Sequence, residues 1–178
     1  IRELTRMLSM APRRGRRRIA IIDPADNHYY QPAWTLVGAG TFDNEETVRP
    51  MKEVIPPRAT WVKEKVSRID PDKNTVETSG DQVIHYEYLV VAPGIKLDWH
   101  GIEGLVDTLG HNGVTSNYRF DRAPNTWQLV RGLRKGRAVF TQPPMPIKCA
   151  GAPQKALYLS AAHWQQEGVL ANIDIDFF

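Results

Sequence analysis

The chain has 178 residues, 42% of them hydrophobic, with a formal net charge of +3. That is enough for one ordinary domain or one and a half small ones, and too balanced to indicate a nucleic-acid partner by itself. No run of 18 apolar residues and no signal-peptide pattern is present, and a single cysteine, Cys149, excludes an internal disulfide framework; a reducing compartment, or a thiol partner outside the chain, fits this usage.

The chain opens on Ile1 inside a helical pattern and closes on "IDIDFF", which reads as an unfinished strand, so a fragment of a longer protein is expected. Ile1, Leu4, Met7 and Leu8 recur at helical spacing, and Pro12 and Gly15 end that helix. The basic run "RRGRRR" at 13–18 follows; a solvated loop and a phosphate or lipid-headgroup patch are both open readings. "RRIAIIDP" is then an apolar, β-branched run closed by Asp23 and Pro24, the pattern of a parallel strand buried on both faces. In dinucleotide-binding folds an acid at this strand edge accepts hydrogen bonds from a ribose. Asp-Pro is also a common turn start, so Asp23 carries both readings.

"NHYYQPAWTLVGAG" is dense in aromatics and reads as a core-filling loop, although Tyr29, Tyr30 and Trp34 could also line a ligand. From residue 61, "WVKEKVSRID", "NTVETS" and "QVIHYEYLVVAPG" alternate around the turn-rich "PDKN" and "SGDQ". This predicts a three-stranded antiparallel meander feeding a buried strand at 88–92 and a small-residue turn. A loop rich in Gly, Asn and Asp leads to a strand at 137–144, a helix at 153–166 with Pro153 in its first turn, and a further strand in "ANIDIDFF". Strand, loop, helix, strand is the opening of a second nucleotide-type unit. Where its glycine-rich phosphate loop would stand, the sequence has "PPMPIKCAGAP". Prolines remove the backbone donors a pyrophosphate needs, so a nicotinamide cofactor is not expected there.

Free cysteines are often inert core residues. Cys149, however, stands before a helix N-terminus with Lys148 and Lys155 near it in sequence, a setting that favours the thiolate, and Ala150, Gly151 and Ala152 leave room for a flat ring or a sulfur chain. His28, His85, His100, His111 and His163 show no ligand spacing, and no metal is expected.

"NHYYQPAWTLVGAG", "VSRIDPDKNTVET", "YEYLVVAPGIKLDW", "SNYRF" and above all "PIKCAGAPQKALYLS" closely resemble sulfide:quinone oxidoreductases of the mitochondrial type, over essentially the whole chain. The resemblance implies an α/β, FAD/NAD(P)-binding Rossmann-like flavoprotein fold with an antiparallel β-meander, truncated at both ends. Residues 1–125 would form an FAD-binding domain lacking its first strand and glycine loop, and 126–178 the start of a second nucleotide-binding-like domain. It further implies FAD as cofactor, with Asp23 on the ribose, Gln31 a cofactor contact, Val66 a backbone contact near the adenine, and Ala92 and Gly94 in the turn beside the FAD. Cys149 matches the flavin-side member of a redox cysteine pair. Implied partners are sulfide, a membrane quinone and a sulfur acceptor such as glutathione, sulfite or cyanide. Implied location is peripheral, on a bacterial cytoplasmic or mitochondrial inner membrane, with no nucleic acid bound. An NADH- or quinone-linked flavin dehydrogenase without sulfur chemistry, and a non-catalytic flavin-binding fragment, are the alternatives.

Overall fold

The structure is a computed structural model that describes residues 18–178. The helix expected over residues 1–8, and all of the basic run except Arg18, lie outside the described residues. The described residues divide into two compact units, 18–28 with Arg49–Pro93, and Tyr29–Val48 with Gly94–Phe178.

In the first unit the strand Ile19–Ile22 pairs in parallel with Ala59–Val62, Ile19 opposite Ala59 and Ile22 opposite Val62. The β-branched run forms the strand as its composition dictates. Burial on both faces is not observed: the three isoleucines are half-buried and Ala20 is exposed, because among the described residues the strand has one neighbour. Trp61 and Val62, expected to open an antiparallel set, belong to this parallel pair instead. A tight turn, in which the Glu64 N–H donates to the Val62 carbonyl at 2.9 Å, separates them from the next sheet.

That sheet is three-stranded and antiparallel, built of Val66–Asp70, Thr75–Thr78 and Val83–His85, with Thr75–Thr78 central. Thr75, Val76 and Thr78 are buried. Asn74 and Asp81 sit in the two connecting turns at φ 53° and 60°, the left-handed region that short polar side chains tolerate. The Glu64 carboxylate clamps the second turn, accepting the Thr78 hydroxyl and, at 2.9 Å, the Gly80 N–H.

The buried strand expected at 88–92 is not formed. Residues 88–93 have no regular structure, with Tyr88 81%, Val90 69% and Val91 60% exposed. Apolar composition makes a buried strand only where neighbouring strands satisfy its backbone and cover its faces. Among the described residues no strand pairs with this run.

The second unit holds the larger core. A helix Ala123–Gly132, in a stretch expected to be loop, begins with Pro124 in its first turn. A parallel pair follows, Gly136–Phe140 with Ile173–Phe177, joined through the helix Gly151–Gln166. The first of these strands stops at Phe140, short of the expected residue 144, where a proline-rich segment begins that cannot donate to a ladder. Val130, Trp164, Val169 and Ile173 form the buried centre, with Trp127, Ala138 and Phe140 packed around it. A second cluster gathers Trp34, Val37 and Ala123 against Phe120.

Candidate functional site

In the first unit Asp23 ends its strand at the carboxyl edge of the parallel pair. Its N–H extends the ladder to the Val62 carbonyl at 3.1 Å, and its own carbonyl accepts the Trp61 indole N–H at 2.8 Å. One carboxylate oxygen accepts the Ala25 N–H at 2.8 Å, so the turn reading of Asp-Pro and the edge position are both realised in one residue. The side chain is half-buried at a place where a strand edge offers an anionic acceptor. Val66 begins the antiparallel sheet opposite Thr78, with a register irregularity between it and Arg68 and its side chain half in solvent. Ala92 lies in the exposed stretch that carries no regular structure.

The second unit carries Gln31, Gly94 and Cys149. Gln31 opens a one-turn 3-10 helix, and its carbonyl accepts the Trp34 N–H. Gly94 has φ +78° with no atom within 4 Å of where a Cβ would stand, a backbone conformation and an open face that glycine supplies at little steric cost. Trp34 is core, 7% exposed, its indole N–H donating to the Thr47 hydroxyl at 3.1 Å. Tyr29 and Tyr30 are 42% and 59% exposed, so of the three aromatics only Trp34 is explained fully by packing.

Cys149 is exposed and adopts φ 61°, uncommon for a residue with a side chain. Its carbonyl accepts the Ala152 N–H at 2.9 Å, and the helix Gly151–Gln166 begins two residues later without a side-chain cap. First-turn N–H groups of an uncapped helix of this length give a positive local potential. Lys155, in the first turns of the helix, is exposed, and the Cβ position of Gly151 is open. The Tyr118 hydroxyl donates to the carbonyl of Lys148 at 2.9 Å. Burial, and then the charge of Cys149, push the Tyr118 phenol above its ordinary range. Tyr118 stands inside the motif "SNYRF", yet nothing in its local sequence shows that it reaches a residue 30 positions away.

The first unit thus offers an acid at a parallel strand edge; the second, taken by itself, offers an accessible thiol at a left-handed turn before a helix and a glycine turn with an open face. Among the described residues, no group of three His, Cys, Asp or Glu side chains could hold a metal ion, and no helix is long and apolar enough to cross a membrane.

No family model matches the chain. It is 42% identical over 160 residues to the mitochondrial sulfide:quinone oxidoreductase of Dictyostelium discoideum, an alignment covering 89% of this chain and 35% of that protein. It is 39% identical over 174 residues to the Mus musculus mitochondrial sulfide:quinone oxidoreductase, covering 98% of this chain and 39% of the relative. Among solved structures, the sulfide:quinone oxidoreductase of Aquifex aeolicus superposes with a TM-score of 0.69 at 26% identity, over 90% of this chain and 36% of that one. The chain thus spans less than two fifths of the length of these relatives. The resemblance read from the motifs is borne out, and the fold is that of the Aquifex enzyme over the matched part.

Proposed function

We propose that this chain is a portion of a sulfide:quinone oxidoreductase, one that oxidises sulfide to protein-bound sulfane sulfur with FAD and delivers two electrons to a membrane quinone. The observation that carries the reading is Cys149, an exposed thiol at a left-handed turn before an uncapped helix, in the motif most like those relatives.

Taken unit by unit, the residues that the resemblance assigns to FAD have chemistry suited to it. Asp23 holds an anionic acceptor at a strand edge, suited to ribose hydroxyls. Gly94 brings backbone to the surface with no side chain in the way, suited to close approach of a flat ring system. Gln31, the Val66 backbone and Ala92 complete the proposed contacts. When bound, FAD supplies the two-electron acceptor that one thiol cannot be.

Cys149 is proposed to be paired, in the oxidised protein, with a second cysteine outside these residues. Hydrosulfide attacks the partner sulfur; the new S–S bond leaves a persulfide there, and the old S–S bond breaks to release Cys149 as a thiolate carrying the electron pair. Cys149 precedes the uncapped N-terminus of the helix Gly151–Gln166, whose first-turn N–H groups carry a partial positive charge. The outer sulfur then leaves to an acceptor such as glutathione, sulfite or cyanide. The quinone places the protein peripherally on a bacterial cytoplasmic or mitochondrial inner membrane.

On this reading residues 1–125 belong to the FAD-binding domain and 126–178 open the second nucleotide-type domain, whose loop is given over to the thiol. Pro143, Pro144 and Pro146 have no N–H to offer a pyrophosphate. Stopped-flow mixing of the FAD-loaded protein with sulfide and with NADH tests the assignment. Bleaching of the flavin by sulfide and not by NADH is expected; rapid bleaching by NADH alone would favour a flavin dehydrogenase without sulfur chemistry.

A further inference from the structure

The segment Thr141–Ala150 that presents Cys149 has no regular secondary structure and contains three prolines. It is tied at its start by the Gln142 N–H to the Phe178 carbonyl, 2.7 Å, and at its end by the Ala152 N–H to the Cys149 carbonyl, 2.9 Å. Between these ties the chain enters the left-handed region at Cys149, φ 61°, a conformation that persists in a residue with a Cβ only where its surroundings hold it.

The peptide entering that turn consists of the Lys148 carbonyl and the Cys149 N–H, held in one plane. Holding the Lys148 carbonyl therefore orients the peptide plane from which φ of Cys149 is measured. The described group that grips this carbonyl is the Tyr118 hydroxyl, at 2.9 Å. Tyr118 is itself half-buried, and its N–H donates to the Ser116 hydroxyl at 3.1 Å.

We propose that Tyr118 is a positioning residue for Cys149, holding through the Lys148 carbonyl the left-handed turn from which the thiol projects. The proposal rests on the reading of Cys149 as the reacting thiol. Burial, and then the charge at Cys149, keep the phenol protonated to higher pH than usual, so the hydroxyl remains available as a donor. A phenylalanine in its place would keep the ring and lose only the donor.

The test uses the 178-residue chain, whose single cysteine lets any thiol label report one position. The one-bond Cα–Hα coupling of Cys149, which separates positive from negative φ, is measured in the unsubstituted chain, Tyr118→Phe and Lys148→Ala, with the rate of alkylation by iodoacetamide and the thermal midpoint alongside. The unsubstituted chain and Lys148→Ala, which keeps the carbonyl, should report positive φ. Tyr118→Phe should move toward negative φ and change the alkylation rate by about threefold or more, as a displaced reacting group does, with the midpoint lowered by no more than the loss of one hydrogen bond explains. A coupling unchanged in Tyr118→Phe overturns the proposal, whatever the rate does. Neither readout involves flavin or sulfide, so failure of the sulfide reading would show separately, as full sulfide turnover in Cys149→Ser.

Discussion

The indole N–H of Trp164, on the helix after Cys149, donates to the carbonyl of Val130 at 2.8 Å inside the core of the second unit. One residue thus fills the core and ties the Gly151–Gln166 helix to Ala123–Gly132. Trp164→Ala should destabilise the chain by about 3–5 kcal/mol, the range for emptying a buried aromatic site. Trp164→Phe should cost about 1–3 kcal/mol, combining the lost bond with a smaller void. Urea midpoints read both; equal losses in the two variants would contradict this role.

Two glycines at nearly the same φ separate conformation from packing. Gly40 has φ +72° with the Trp127 ring 2.3 Å from where a Cβ would stand, whereas Gly168 has φ +70° and nothing within 4 Å. Gly168→Ala should lose about 1–2 kcal/mol, the left-handed penalty alone. Gly40→Ala should lose clearly more, because the indole must move. Equal losses would show that Trp127 yields freely.

Asp70 gives the fold an acid-sensitive element. The Lys73 N–H bond to its carboxylate, with the Lys73 and Arg68 charges, outweighs burial and holds its pKa below the ordinary 3.8. A pKa lowered on folding contributes stability that is complete above the unfolded value and is lost as pH falls through the folded one. Asp70→Asn should therefore be less stable than the unsubstituted chain at neutral pH, with the difference shrinking below about pH 4. Urea titrations at several pH values should show the two curves converge in acid; parallel curves would remove Asp70 from that role.

Asp23→Ala addresses the cofactor. Removing the acceptor at the strand edge should lower FAD affinity by about 1–3 kcal/mol, the cost of leaving buried hydroxyls unpaired. Flavin retention after gel filtration measures it, and unchanged retention would take Asp23 out of the proposed FAD contacts.

Legibility of the fold in the sequence depended on how far each signal reaches. Strand Ile19–Ile22 and the helix after Cys149 are legible because a β-branched run closed by Asp-Pro, and Pro153 before an apolar pattern, are local features. The helix Ala123–Gly132 has comparable marks in Pro124 and in the spacing of Ala123, Trp127 and Val130, but the Gly, Asn and Asp residues around it read as a loop. The run at 88–92 reads as a buried strand and is not one, because apolar composition reports a preference for burial and not the presence of neighbours. Cys149 stands out by uniqueness and context, whereas Tyr118 owes its place beside Lys148 to packing across 30 residues.

Cys149→Ser separates binding from chemistry, because a hydroxyl preserves the size of the side chain but is far too weak an acid to serve as the released thiolate. The decisive measurement is sulfide-dependent quinone reduction by a protein that contains these residues together with the proposed partner cysteine, with its FAD content determined on the same sample. Cys149→Ser should keep its full FAD content and lose sulfide turnover to background. Near-normal turnover with full flavin would remove Cys149 from the reaction and leave the sulfide chemistry without its thiol.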